Sequence, residues 1–562
     1  MTPKTPTALA KDRRYDLDAL RAFAMLLGIG LHASLSFFPV PWPVQDSRQS
    51  GLFGVFFTAI HGFRMPLFFL LSGFFTMMMY RHRGLRALLK QRAVRILLPC
   101  ILGVVTVVPL MGFVSGWAMA KPRPVRADIQ QPLVASIRAS DVSAVRRCID
   151  QKSDLQRADL RFGIRPLHWA SLAGDPEIVQ LLIDHGADVN LANEDGNGPL
   201  HAAAFLGHAT VIELLLQKGA DPNALNRDGN PPLFSADAPD EVTRAILKFL
   251  ELPMPDPEVL KVNREKVRDL LAPRTKPQQS TPAAVQSAGM IEQMRAAYAA
   301  FLASSVWQIS IGGIDYHLIY GRMFDHLWFL WFLCWMMLIF TMVDGLIRLL
   351  GSRDGIARIA TWSGLLYWLV PLTIVPQLLM GTSFPSFGPD TSTGVIPQPH
   401  LLLYYGLFFT FGVLYFCHDD VGARLGRRWW LLLPIALLVV LPVGQITLGQ
   451  RWLSAALQPM YAWAMSIGMM GLFRATMNRP SSVIRYISDA SYWMYVAHLP
   501  LVIGLQGILR DWPVSPFGKF LLINVVSIAV LLISYHLLVR YTWIGRVLNG
   551  KRERRVTAEG QA

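Results

Sequence analysis

Leu17-Asp18-Ala19-Leu20-Arg21-Ala22-Phe23-Ala24-Met25-Leu26-Leu27-Gly28-Ile29-Gly30-Leu31-His32 opens an apolar run that continues to about residue 40. At about 1.5 Å per residue, residues 18–40 can cross the roughly 30 Å hydrocarbon core of a bilayer as one helix. The run follows a polar start and is too long for a removable signal peptide, so it is expected to be a first transmembrane span. Runs of similar length lie near 54–79, 96–117, 323–347, 360–380, 400–417, 429–449, 453–473, 486–505 and 519–539. The expected fold is all-α, a polytopic membrane protein with about ten transmembrane helices, because a helix satisfies its own backbone in lipid.

The composition agrees. Of 562 residues, 52% are apolar and 16% charged, against about 25% charged in an ordinary soluble domain. Soluble enzymes and disordered chains are excluded. Residues 118–322 carry 22 Lys and Arg against 24 Asp and Glu, so the excess behind the net charge of +15 lies among the apolar runs, 31 against 14. Basic residues in short loops beside spans follow the positive-inside rule, and no nucleic-acid-binding motif accompanies them. With a cytoplasmic N-terminus, the inward segments hold 25 Lys and Arg, while the short outward loops hold Arg48, Arg451, Arg510 and Lys519. Both termini are then cytoplasmic, and residues 118–322, between the third and fourth spans, lie outside. Cys100, Cys148, Cys334 and Cys417 lack CxxC spacing and read as small core residues.

That insertion repeats itself. Pro166-Leu167-His168, Pro199-Leu200-His201 and Pro232-Leu233-Phe234 recur every 33 residues, and Gly186-Ala187-Asp188 returns as Gly219-Ala220-Asp221. The period, the helix start and the Gly-Ala-Asp turn resemble the ankyrin repeat. Arg165 and Gly198 stand where that repeat usually has Thr. His168 and His201 are expected to be structural, and the array to offer a surface to an unknown protein partner. The expected divisions are 1–117 for the first three spans, 118–130 a linker, 131–253 the ankyrin array, 254–320 a linker and re-entry segment, 321–548 the remaining spans, and 549–562 a basic tail.

Ionisable groups inside spans are costly and point to function. Arg21 and His32, eleven residues apart, fall on one helix face roughly 16 Å apart, with Asp18 one turn before Arg21. His61, Arg64 and Ser72 lie in the second span, Asp325-His326 opens the fourth, and Ser491, Tyr495 and His498 form one stripe of the ninth. Histidine can act as a general base or carry an acyl group, and arginine can hold phosphate or carboxylate. The same residues would also suit proton-coupled transport, or interfacial anchoring and helix contacts. No nucleotide loop, HExxH helix or GxSxG elbow is present, and no metal site or bound cofactor is expected.

Leu17-Asp18-Ala19-Leu20-Arg21 with His32, Arg64-Met65-Pro66-Leu67-Phe68-Phe69-Leu70-Leu71-Ser72-Gly73, Arg92-Ala93-Val94-Arg95, His326-Leu327-Trp328-Phe329-Leu330 and Ser491-Tyr492 through His498 together resemble the acyltransferase-3 family. The resemblance spans both sides of the insertion and is nearest the branch that succinylates periplasmic glucans. It implies O-acylation of an extracytoplasmic sugar from cytoplasmic acyl-CoA, in the inner membrane. It implies that His32 is catalytic, as base or acyl carrier, and that Arg21 is essential and suits the CoA phosphates, with Arg92 and Arg95 in the basic loop nearby. Asp18, Arg64, Ser72, His326, Ser491, Tyr495 and His498 would line the site. Arg540-Tyr541-Thr542-Trp543 replaces the Glu-Pro ending frequent in other branches. A transporter of a glycan or lipid-linked anion, or a sensor acting through its ankyrin array, are the alternatives.

Overall fold

The computed structural model describes the chain apart from residues 1–13, 39, 41, 47, 121–131, 160–163, 194–195, 227–229, 251, 276–289, 312–313, 352–364, 382–385, 419–425, 449 and 550–562. Lys4, Lys11, Arg13, Arg353, Arg358 and Arg424, most of both expected linkers' polar stretches, the start of the 360–380 span and nearly all of the tail lie outside the described residues. The chain divides into two compact units, Met1–Pro122 with Arg295–Ala562, and Arg123–Met294.

The first unit begins with α1 (Tyr15–Ser34), α2 (Gly51–Arg92) and α3 (Leu98–Ala120), the last two joined by a π-turn at Ala93–Leu97. Gly84, at φ 75°, breaks α2 after its apolar part, a conformation open to glycine at little cost. The second unit holds α4 (Pro132–Arg138), α5 (Val142–Asp150), α6 (Pro166–Ala173), α7 (Pro176–Asp184), α8 (Pro199–Phe205), α9 (Ala209–Gln217), α10 (Pro232–Ser235), α11 (Asp240–Leu250) and α12 (Pro257–Leu271).

Proline at the first helical position starts α6, α8 and α10 at the 33-residue step, where its missing N–H costs nothing. Asp175 caps α7 by accepting from Glu177 and Ile178 N–H. His168 Nε2 meets Asn197 O at 2.8 Å and His201 Nε2 meets Asn230 O at 3.1 Å, so each imidazole ties one repeat to the next. Helix α12 extends the packed unit beyond the expected boundary at 253. Leu260, Arg264, Val267 and Leu271 form its buried face. Arg264, 4% exposed, donates to Phe205 O, Ala238 O and Thr243 Oγ1 at 2.7–3.0 Å, satisfying carbonyls that a shorter array would leave bare.

The chain then forms α13 (Met290–Ala303) and an antiparallel hairpin, β1 (Gln308–Ile311) with β2 (Ile314–His317), pairing Gln308 with His317 and Ile311 with Ile314. Residues after the hairpin bond to the 393–396 loop, Ile396 N–H to Leu318 O and Phe324 N–H to Thr393 O. The remaining helices are α14 (Trp328–Leu349), α15 (Leu365–Leu372), α16 (Ile374–Gln377), α17 (Pro399–Cys417), α18 (Trp429–Ile435), α19 (Leu441–Ile446), α20 (Arg451–Thr476), α21 (Ser482–Leu509), α22 (Pro516–Ser534) and α23 (Trp543–Asn549).

Among the described residues, seven helical stretches are long and apolar enough to cross a membrane, and one of them, Gly51–Ala120, contains both the second and third expected spans. The expected 453–473 span is the continuous helix α20, and the described part of the 360–380 span is the shorter pair α15 and α16. This is an integral membrane protein.

Helices α2 and α17 meet backbone to backbone. A Cβ on Gly73 would strike Phe409 O, and one on Gly412 would strike Leu70 O, the small-residue approach that lets helices associate in lipid. Phe69 with Phe329, Trp328 with Phe332 and Phe332 with Tyr405 pack edge to face around this contact, and Phe69 lies tilted on Tyr405 at 4.6 Å, so these rings hold α2 and α14 beside α17.

Candidate active site

His32 lies in the last turn of α1, and the residues after it fold back over it. Ser36 Oγ donates to Val44 O at 2.7 Å, Asp46 N–H donates to Ser36 O at 2.9 Å, and Gln45 Nε2 donates to Val40 O at 2.8 Å. The turn so closed sets Trp42 against His32, ring centroids 6.0 Å apart and planes at 22°. Gln506 of α21 joins the two: its Nε2 donates to His32 O (3.0 Å) and Ala33 O (3.2 Å), and its Oε1 accepts from Trp42 Nε1 (2.9 Å). Lys519 of α22 fastens the far end, donating to Asp46 Oδ2 and Arg510 O, each at 2.7 Å. The sequence counts Lys519 and Arg510 as outward loop charges, yet their side chains are 1% and 3% exposed. Their polar partners draw them inward.

Pro500 shapes the next part. It has no N–H for the carbonyl four residues back, so Val496 O is left over within α21. His326 uses it: Nε2 lies 3.1 Å from Val496 O, while the His326 carbonyl accepts from the Tyr495 hydroxyl at 2.5 Å. His498 turns its Nδ1 to Tyr495 O at 2.8 Å. Ring centroids are 5.2 Å apart for His32 and His498 and 5.8 Å for His498 and His326. Three imidazoles from three parts of the chain therefore stand in a row.

Arg64 approaches this row from α2 through the space left by Gly28, where a Cβ would strike its guanidinium. It lies within electrostatic reach of His32, His61, His498, Tyr405 and Tyr495. His61 stacks on Phe57, bonds the Pro389 backbone, and abuts Gly388. His32 Nδ1, His326 Nδ1, His498 Nε2 and Arg64 Nε are all buried without a hydrogen-bond partner among the described residues. Each such group costs about 1–3 kcal/mol, and four on neighbouring residues form a site complementary to a polar ligand.

Arg21 lies away from the row. It donates to Ser488 Oγ at 2.7 Å, approaches Asp18 Oδ1 at 3.7 Å, and sits over the Phe75 ring. Ser491 donates to Ser488 O at 2.7 Å and so belongs with the Arg21 end. Arg92 donates to Thr76 Oγ1 at 2.8 Å and faces Arg95 and Tyr492. Ser72 is half-buried on α2. Sequence reasoning missed Trp42, Gln506, Ser488, Asp46 and Lys519. Gln506 was accessible to it, since eleven residues beyond Tyr495 returns to the same helix face. Among the described residues, no group of three or more His, Cys, Asp or Glu is arranged to hold a metal ion.

A buried imidazole row beside one arginine can take a proton from a hydroxyl while the guanidinium faces a developing oxyanion. Comparison with known proteins matches the acyltransferase domain model of the acyltransferase-3 family over residues 14–124 and 296–537. The chain belongs to the acyltransferase-3 family. A second model, ankyrin repeats in three copies, matches residues 133–226, between the two acyltransferase segments. The chain is 37% identical over 99 residues to proteins named Glucans biosynthesis protein C in Salmonella paratyphi B, Salmonella heidelberg and Salmonella dublin. Those alignments cover 18% of this chain and 25% of each relative, so the chain spans about a quarter of the length of the curated relatives it matches. The acyltransferase domain thus lies in the membrane-spanning part of the chain, on both sides of the ankyrin repeats.

Proposed function

We propose that this acyltransferase moves an acetyl- or succinyl-class group from acyl-CoA to a hydroxyl of an extracytoplasmic glycan, in the inner membrane with both termini cytoplasmic. The observation that carries the proposal is the row of three buried histidines with unpaired nitrogens beside Arg64. In direct transfer, His32 takes the hydroxyl proton as that oxygen attacks the thioester carbonyl. The carbon–oxygen bond forms, the carbon–sulfur bond breaks, and the leaving thiolate takes the proton from His32. Arg64 faces the oxyanion formed between these events. A transient acyl group on His32 reaches the same products in two steps. Arg21, eleven residues before His32 and paired with Ser488, suits the donor's phosphates, with Arg92 and Arg95. The ankyrin array, on the extracytoplasmic side, serves a protein partner.

The test is transfer of radiolabelled acyl groups from acetyl-CoA and succinyl-CoA to an envelope glycan extract, in membranes holding matched amounts of wild type or His32→Ala. Label should reach glycan with wild type alone. Transfer at the wild-type rate by folded His32→Ala would remove His32 from the chemistry, and no transfer from any donor by inserted wild type would refute the function.

A further inference from the structure

We infer that His498 and His326 form a fixed pair of hydrogen-bond acceptors that hold neighbouring hydroxyls of the acceptor sugar, a reading that rests on the function proposed above. A backbone carbonyl can only accept. The nitrogens facing carbonyls, His498 Nδ1 at Tyr495 O (2.8 Å) and His326 Nε2 at Val496 O (3.1 Å), therefore carry the protons. In a neutral imidazole the other nitrogen then has a lone pair and no proton.

Those other nitrogens, His498 Nε2 and His326 Nδ1, are the two found buried and unpaired. The sequence enforces the arrangement: Pro500 frees the Val496 carbonyl that fixes His326, and Tyr495 grips His326 from the other end through its carbonyl. The rings cannot exchange tautomers without giving up these bonds.

Two lone pairs on rings 5.8 Å apart, next to His32 at 5.2 Å, require donors. An acyl thioester carbonyl offers none. A pyranose ring offers O–H groups on adjacent carbons, so one hydroxyl can donate to His326 and its neighbour to His498, while the next hydroxyl along the ring keeps its proton for His32. The pair thereby orients the reacting hydroxyl and selects polyhydroxylated acceptors over isolated alcohols. An acceptor lacking one of the two hydroxyls leaves a buried nitrogen unpaired, which predicts roughly tenfold poorer use.

The experiment is nitrogen NMR of the full chain, labelled at histidine, in lipid nanodiscs, with His326→Phe and His498→Phe used to assign the signals. The probes are a β-glucan oligosaccharide and its fully O-methylated form, which keeps the pyranose rings and their linkages and loses every O–H. Expected are an unprotonated Nε2 on His498 and an unprotonated Nδ1 on His326, each shifting with the glucan and not with the methylated probe. A proton on either nitrogen in the free protein, equal shifts with both probes, or no shift with glucan would overturn the inference. Because the readout is binding, glucan-specific shifts without acyl transfer would refute the function alone, and transfer with the other tautomers would refute this inference alone.

Discussion

Replacing Lys519 with Met should be among the most damaging single changes outside the histidine row. The ammonium donates to Asp46 Oδ2 and to Arg510 O at 2.7 Å, with 1% of the lysine side chain and 3% of the aspartate exposed. Lys519→Met leaves that carboxylate buried with its cation gone. Asp46 Oδ1 also accepts from the Arg48 N–H at 2.8 Å, a neutral donor weaker than the ammonium. Breaking a buried pair from one side costs about 3–5 kcal/mol, whereas replacing both partners by apolar groups of similar size is often neutral. Lys519→Met and Asp46→Leu should therefore each lower stability by about 3–5 kcal/mol, and the double variant should recover most of it, a coupling of about 5 kcal/mol or more. The assay is denaturant unfolding in detergent, followed beside acyl transfer. Since the pair closes the turn that sets Trp42 on His32, the singles should lose transfer in the fraction that stays folded. Singles within about 0.5 kcal/mol of wild type, or a double whose cost is the sum of the singles, would refute the reasoning.

Gly412→Val should lower bundle stability by about 3 kcal/mol, since the new side chain meets Leu70 O, a backbone atom that cannot swing aside; thermal unfolding of the purified protein reads it. The ankyrin array should weaken in acid. Burial holds His168 at about 4 against 6.5 for a free side chain, so its neutral form stabilises the fold fully above pH 6.5, and that contribution, at most about 3 kcal/mol, is lost as pH falls from 6.5 to 4. Protection from hydrogen exchange over residues 166–226 of the full chain, taken relative to the intrinsic exchange rate at each pH, should fall in that window, and less so in a His168→Asn variant. Arg264→Met should expose the end of the array by leaving Phe205 O and Ala238 O unpaired, costing about 2–4 kcal/mol and speeding proteolysis between residues 205 and 271.

What the sequence revealed and what it hid divide along physical lines. Period and length are local, so the apolar runs, the 33-residue repeat and the Ser491, Tyr495, His498 stripe could be read directly. The structural roles of His168 and His201 followed from the repeat. Helix α12 was hidden because Arg264 occupies a core position on a face otherwise made by Leu260, Val267 and Leu271. A charge at that position breaks the apolar pattern that marks a packed helix. The clamp on His32 was hidden for another reason. Trp42 and Asp46 lie in a loop, and their partners Gln506 and Lys519 are more than 460 residues away, a pairing that no local periodicity encodes. Arg21 and His32 are spaced to share a face, but the structure gives them different neighbours, Ser488 for one and His498 for the other.

Those sequence separations also set an order of events. Arg21 waits 467 residues for Ser488, and the His32 carbonyl waits 474 for Gln506. Chains emerge N-terminus first and domains generally fold as units during synthesis, so the first three spans exist for most of translation without the helices that complete them. The ankyrin repeats, built from neighbours in sequence, can pack meanwhile, because low contact order favours speed. Until α21 arrives the half-made bundle carries Arg21 without Ser488 and the His32 carbonyl without Gln506. A chain stopped before residue 482 would be inserted, partly folded and inert, a natural target for quality control in the membrane.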